Sequence, residues 1–131
     1  LRVNGTTLDS ADSTKITVAE DVDVTGTLFS RGNVFGVQTL TGSGSTEVVN
    51  LTDTVTLLIT TGGSQQFSLA DGVEGQLKIL SMKTDGGTGI VTPANFVNGT
   101  QITFDDVQDT ITLLYQSTGW VVLARQNALV S

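Results

Sequence analysis

Residues 109–125 alternate apolar and polar positions in two runs separated by Ser117, Thr118 and Gly119. Ile111, Leu113 and Tyr115 fall on one side of the first run, while in the second Trp120, Val122 and Ala124 alternate with Val121, Leu123 and Arg125. A period of two is that of a pleated strand, and a short polar connection makes the pair a hairpin. The large side chains Tyr115 and Trp120, with Ile111, Leu113 and Val122, are the expected core of the domain built on it. Leu114 interrupts the polar side, which predicts that this second side is also covered, by another sheet or another subunit.

The same pattern runs upstream. Strands are expected over residues 47–50, 54–60, 65–68, 76–82, 89–92, 100–104, 110–116 and 120–125, divided by turns such as Asp71-Gly72, Asp85-Gly86-Gly87 and Asn98-Gly99, whose residues tolerate positive φ. Eight short strands at this spacing predict an all-β domain, an antiparallel β-sandwich or jelly-roll-like knob. Within it, DTVTLLIT (53–60) echoes DTITLLYQ (109–116), placing two related strands in a candidate two-fold plan or arising by chance in a Thr- and Leu-rich chain.

Residues 1–41 differ. Their apolar side chains, Val3, Leu8, Ile16, Val18, Val22, Val24, Leu28, Phe29, Val34, Phe35 and Val37, are isolated and evenly spaced, as in short strands with turns near Asn4-Gly5, Thr25-Gly26 and Arg31-Gly32-Asn33. Each fully buried aliphatic contributes roughly 1.5 to 3 kcal/mol against about 1 to 2 kcal/mol of backbone entropy per ordered residue, so this stretch cannot close a core alone. Identical copies packed about a common axis are the expected partners, with Val22, Val24, Leu28 and Phe29 at the interface; a flexible tail is the alternative. TGSGST (41–46) is the expected linker. It divides the chain into an N-terminal anchor or trimerisation arm, residues 1–43, and a C-terminal β-sandwich knob, residues 44–131.

Composition agrees with strands and turns rather than helices, since Thr, Val and Gly lead and Ala, Glu and Lys are sparse. A net charge of −7 disfavours nucleic acid and anionic lipid as direct partners. No apolar run is long enough to cross a bilayer as a helix, and residues 1–10 lack the regions of a signal peptide. A first residue other than Met leaves room for a processed or longer N-terminus.

The chain has no His and no Cys, which removes imidazole- and thiol-based nucleophiles and zinc ligands. Carboxylates remain. Asp105, Asp106 and Asp109 suit either a glycosidase-type pair or cation site, or a turn in which Asp bonds its own backbone. Residues 21–26 open like a calcium loop, D-x-D-x-x-G, but Gly32 stands where its bidentate Glu belongs. Residues 85–89 are glycine-rich without the Lys-Ser/Thr of a phosphate loop. Three Asn-x-Thr sequons, at Asn4, Asn50 and Asn98, carry no sign of secretion. Tyr115 and Trp120 could stack on a sugar, although an aromatic pair alternating with valines is first of all core. No enzymatic activity, cofactor or metal is expected.

Four motifs, LADGVEGQ (69–76), MKTDGG (82–87), ITFDDVQDTITLLY (102–115) and the closing GWVVL (119–123), resemble the C-terminal domain of virion fibre and head-decoration proteins of tailed bacteriophages, particularly those of marine and cyanobacterial hosts. ADSTKITVAEDVDVTGTL (11–28) is similar to short repeats of phage fibre shafts and bases. The resemblance implies a homotrimeric, non-enzymatic virion protein: a capsid decoration or short head fibre bound to the major capsid protein or another virion protein through its N-terminal segment. It also implies an alternative, a tail-fibre adhesin contacting host-surface glycan, with a carboxylate-based depolymerase as a further rival. Some forty extended residues reach at most roughly 130 to 145 Å, short for a tail-fibre shaft, so the capsid surface is the expected location.

Overall fold

The computed structural model describes residues 18–131. The chain divides into two units, Leu1–Asn33 and Val34–Ser131. In the first, residues 18–33 contain no strand, and Val22, Val24, Leu28 and Phe29 are all exposed. The short strands expected between Val18 and Phe35 therefore do not form in the single chain, because a strand needs a neighbour to take its backbone hydrogen bonds. The apolar positions Val3, Leu8 and Ile16 lie outside the described residues.

The second unit is an all-β sandwich of ten strands: β1 Val37–Thr41, β2 Glu47–Val49, β3 Val55–Ile59, β4 Gln65–Leu69, β5 Leu77–Thr84, β6 Gly89–Pro93, β7 Ile102–Phe104, β8 Thr110–Gln116, β9 Gly119–Gln126 and β10 Leu129–Val130. One sheet has the order β1-β3-β5-β8-β9, the other β10-β7-β6-β4-β2. All eight expected strands are present. Two more, β1 and β10, flank them at sheet edges.

The pairing is not wholly antiparallel, as the sequence pattern had suggested. Strands β1, β3 and β5 run parallel in one sheet, and β2, β4 and β6 run parallel in the other. Successive strands alternate between sheets, so the chain winds as a flattened coil, and each passage through the opposite sheet supplies the crossover of about a dozen or more residues that parallel neighbours require. After β6 the chain turns back: β7 pairs antiparallel with β6, and β8 antiparallel with β5 and β9. Alternation within a strand shows which residues face inward but not which neighbour they meet.

The position of the linker also differs. Gly42, in the predicted linker, is buried and donates its N–H to Ile59 (2.8 Å), and Ser43 donates to the Glu47 carboxylate (2.5 Å). TGSGST is thus a fastened turn between β1 and β2, and β1 belongs to the sandwich, not to an arm ending at residue 43. A β-carbon on Gly42 would lie 2.5 Å from the Gln65 side-chain oxygen, so glycine is there for close approach rather than for a hinge.

The core between the sheets holds Val49, Leu58, Phe67, Leu69, Leu80, Met82, Val91, Ile102, Phe104, Ile111, Leu113, Trp120 and Ala128. The echoed octapeptides both lie in the first sheet, on either side of β5, but with opposite faces inward. In β3 Thr56 and Leu58 are buried, whereas in β8 the buried residues are Ile111 and Leu113, so Leu57 and Leu114 both point outward.

Candidate functional site

The β8–β9 hairpin places Tyr115 directly opposite Trp120, and their rings meet edge to face with centroids 5.2 Å apart at 76°. Trp120 is completely buried, and its indole N–H donates to the Ala70 carbonyl at 2.9 Å. Its backbone ties the hairpin to the loop after β6: Trp120 N–H donates to Asn95 O (2.9 Å) and Val97 N–H to Trp120 O (3.0 Å). Gly119 must be glycine here, since its φ is +143° and a β-carbon would sit 2.7 Å from Asn95 O. Gly72 packs against the six-membered ring of the indole, where a β-carbon would come within 2.9 Å of it.

Beside this aromatic pair lies an open cleft of about 450 Å³ lined by Leu51, Thr52, Asp71, Gly72, Val73 and Gln76. Its polar groups are mostly committed to holding loops. The Asp71 carboxylate accepts from Asn95 Nδ2 (2.7 Å), Gln76 Nε2 donates to Leu51 O (2.8 Å), and Gln76 Oε1 accepts from Val73 N–H (3.1 Å). Burial, and then the neighbouring Asp71 charge, raise the Tyr115 phenol pKa, so it stays a neutral donor. The Asp71 carboxylate is the charged group of the cleft wall, able to accept hydrogen bonds from a hydroxyl-rich ligand.

The carboxylate cluster between β7 and β8 is a turn. Asp109 is fully buried, and its Oδ2 accepts the backbone N–H groups of Asp105 (2.9 Å) and Asp106 (3.0 Å). Its Oδ1 has no hydrogen-bond partner among the described residues. Hydrogen bonding with the Asp109 carboxylate, followed by desolvation, raises the pKa of Asp105. Among the described residues no group of acidic side chains is arranged to hold a metal ion.

Sequence reasoning overlooked Lys78, although its place in LKILSM, in phase with Leu80 and Met82, was the available signal. It is wholly buried, and Nζ donates to the carbonyls of Asn50 (2.8 Å) and Asp53 (2.5 Å), pinning the β2–β3 loop. Burial pushes its pKa down to about 8, partly offset by the Asp53 charge.

Of the expected core residues, Ile111, Leu113 and Trp120 are fully buried, and Tyr115 and Val122 are partly buried against them. Ala124, grouped with the inward alternation, is exposed because a bulge between Thr112 and Leu113 shifts the β9 register. Val22, Val24, Leu28 and Phe29 lie in the other unit and are brought to no site in the single chain. The chain matches no protein-family model and no curated protein at a significant level.

Proposed function

We propose that this chain is a non-enzymatic structural protein of a tailed-phage virion, a homotrimeric capsid decoration or short head fibre. The N-terminal segment attaches to the major capsid protein or another virion protein, and the sandwich projects as a knob. The motif resemblance over residues 69–123 supplies the class. The structural observation that carries the assembly is the exposure of Val22 (65 %), Val24 (44 %), Leu28 (72 %) and Phe29 (92 %) in a lone chain. Four large apolar residues so close together in sequence and exposed call for a covering partner. Both predicted partners, other copies and a capsid surface, would supply it.

The adhesin is the second reading, favoured by the open cleft walled by Asp71 and Gln76. Full burial of Trp120 counts against the version in which this residue stacks on sugar.

Sedimentation of the full chain and electron microscopy of virions labelled with an antibody to the knob test the proposal together. A trimer and label over the capsid surface are expected. Label at the tail would transfer the reading to the adhesin, and a stable monomer or unlabelled virions would overturn it.

A further inference from the structure

The outer face of the first sheet is unusual for a surface on an acidic protein. Alternation turns Val37, Val55, Leu57, Ile59, Leu77, Ile79, Leu114 and Val121 away from the core, and register sets them side by side. Val37 neighbours Val55, which neighbours Ile79, in one row across three strands. Leu77, Leu114 and Val121 form a second row across the other side. The remaining outward residues are chiefly Thr, and two are already satisfied, with the Ser81 and Thr110 hydroxyls bonded to each other at 2.8 Å. None of the chain's 13 carboxylates occupies an outward position on these strands, and the two charges exposed on them, Lys83 near the end of β5 and Arg125 near the end of β9, are both positive.

The second sheet is the internal comparison. Its outward residues are Val48, Gln66, Ser68, Ile90, Thr92, Thr103 and Leu129, and register separates the apolar ones with polar neighbours: Leu129, Thr103, Ile90 and Gln66 follow one another across the strands. That is the composition of a face left to water.

The octapeptide echo points the same way. A change of inward face ordinarily exposes a strand's apolar set, yet here the motif is used in both orientations, because each alternation carries a leucine. Such a sheet has two apolar sides.

Resting on the homo-oligomer reading above, we infer that this face is where knobs of neighbouring copies pack against one another. A second copy is the occupant that charge favours: with a net charge of −7, copies repel except through a surface free of carboxylates. Area agrees. Five strands about 4.8 Å apart and about six residues long make a face roughly 24 by 20 Å, so two opposed faces remove on the order of 1,000 Å² in plan, the threshold for a specific interface. In a trimer the three faces turn toward the axis and each is shared between two neighbours.

The test is sedimentation of the full chain at micromolar concentration for the native protein, Ile79→Lys, Leu114→Lys and Ile90→Lys, the last on the opposite sheet. Fluorescence of the buried Trp120 reports folding of each. The native chain and Ile90→Lys should sediment as the same oligomer, while Ile79→Lys and Leu114→Lys lose it and keep the native emission. If a lysine variant loses the native emission, the milder Leu114→Gln and Ile79→Thr decide by the same criterion. A native trimer that survives the face substitutions overturns this interface but leaves the trimeric reading standing. A native dimer abolished by them supports the face and overturns the trimer. A native monomer, or a native oligomer lost equally in Ile90→Lys, overturns the inference.

Discussion

Replacing Trp120 with Ala removes the side chain that joins the two sheets' loops at one end of the sandwich. The indole is fully buried, donates a hydrogen bond to Ala70 O at 2.9 Å, and meets Tyr115 edge to face. Truncating a buried aromatic to Ala costs about 3 to 5 kcal/mol. The Ala70 carbonyl that loses its donor belongs to an exposed residue, where water can take the donor's place, so this loss adds little to the first figure. A loss of about 3 to 5 kcal/mol follows, a large share of the 5 to 15 kcal/mol typical of a domain. For a unit of this size each kcal/mol lowers the melting midpoint by roughly 4 to 8 °C, so a drop of about 12 to 40 °C is expected. Circular dichroism melts at matched protein concentration measure it, since association shifts the midpoint as well. Trp120→Phe separates the two contributions: it keeps most of the ring, loses the N–H, and should cost about 1 to 2 kcal/mol. A Trp120→Ala midpoint within about 5 °C of native would refute the packing argument, and with it the claim that this residue is unavailable for sugar stacking.

Stability should rise as pH increases from about 8 toward 10, because the folded Lys78 pKa is pushed down to about 8 while the unfolded value is near 10.5 and the unfolded chain then holds more protons. The gain is at most about 3 kcal/mol, urea titrations measure it, and Lys78→Met should flatten the slope. Above that range the raised Tyr115 pKa acts in the opposite sense, since the folded state retains a proton that the unfolded chain releases. Asp109→Asn should lower the Asp105 pKa toward its ordinary value in an NMR titration; an unmoved Asp105 would show that the two carboxyls are not coupled. Gly86→Ala should destabilise by about 1 to 3 kcal/mol in a thermal melt, because its β-carbon would stand 2.5 Å from Thr60 O and 2.9 Å from Thr61 Cα, both backbone atoms.

The existence of strands was legible because each carries a two-residue period between turn-forming residues, and the hairpin because its turn is short and polar. Direction was not legible. A period of two is the same for parallel and antiparallel neighbours, and nothing in LKILSM says that one side of β5 meets β3 in parallel and the other meets β8 in reverse. β10 was missed because two residues carry no period, and β1 because VQTLT reads as weakly as the arm before it. The register bulge that exposes Ala124 has no marker in the sequence, as neither Gly nor Pro stands at it. Leu114 was different: its misfit with the polar side was visible in the sequence, and the sheet register supplies its neighbours.

The winding of β1 to β6 bears on the order in which the chain can fold. Every parallel pairing joins segments separated by an excursion through the opposite sheet, so each carries a loop-closure cost before any contact repays it. The β8–β9 hairpin is the pairing closed by a tight turn, and it is made after all six strands of the winding. Each early strand therefore waits, its edge unpaired, for a partner made more than a dozen residues later, which makes the sandwich a slow folder of the millisecond-to-second class and its first nascent strands the portion most in need of protection from self-association.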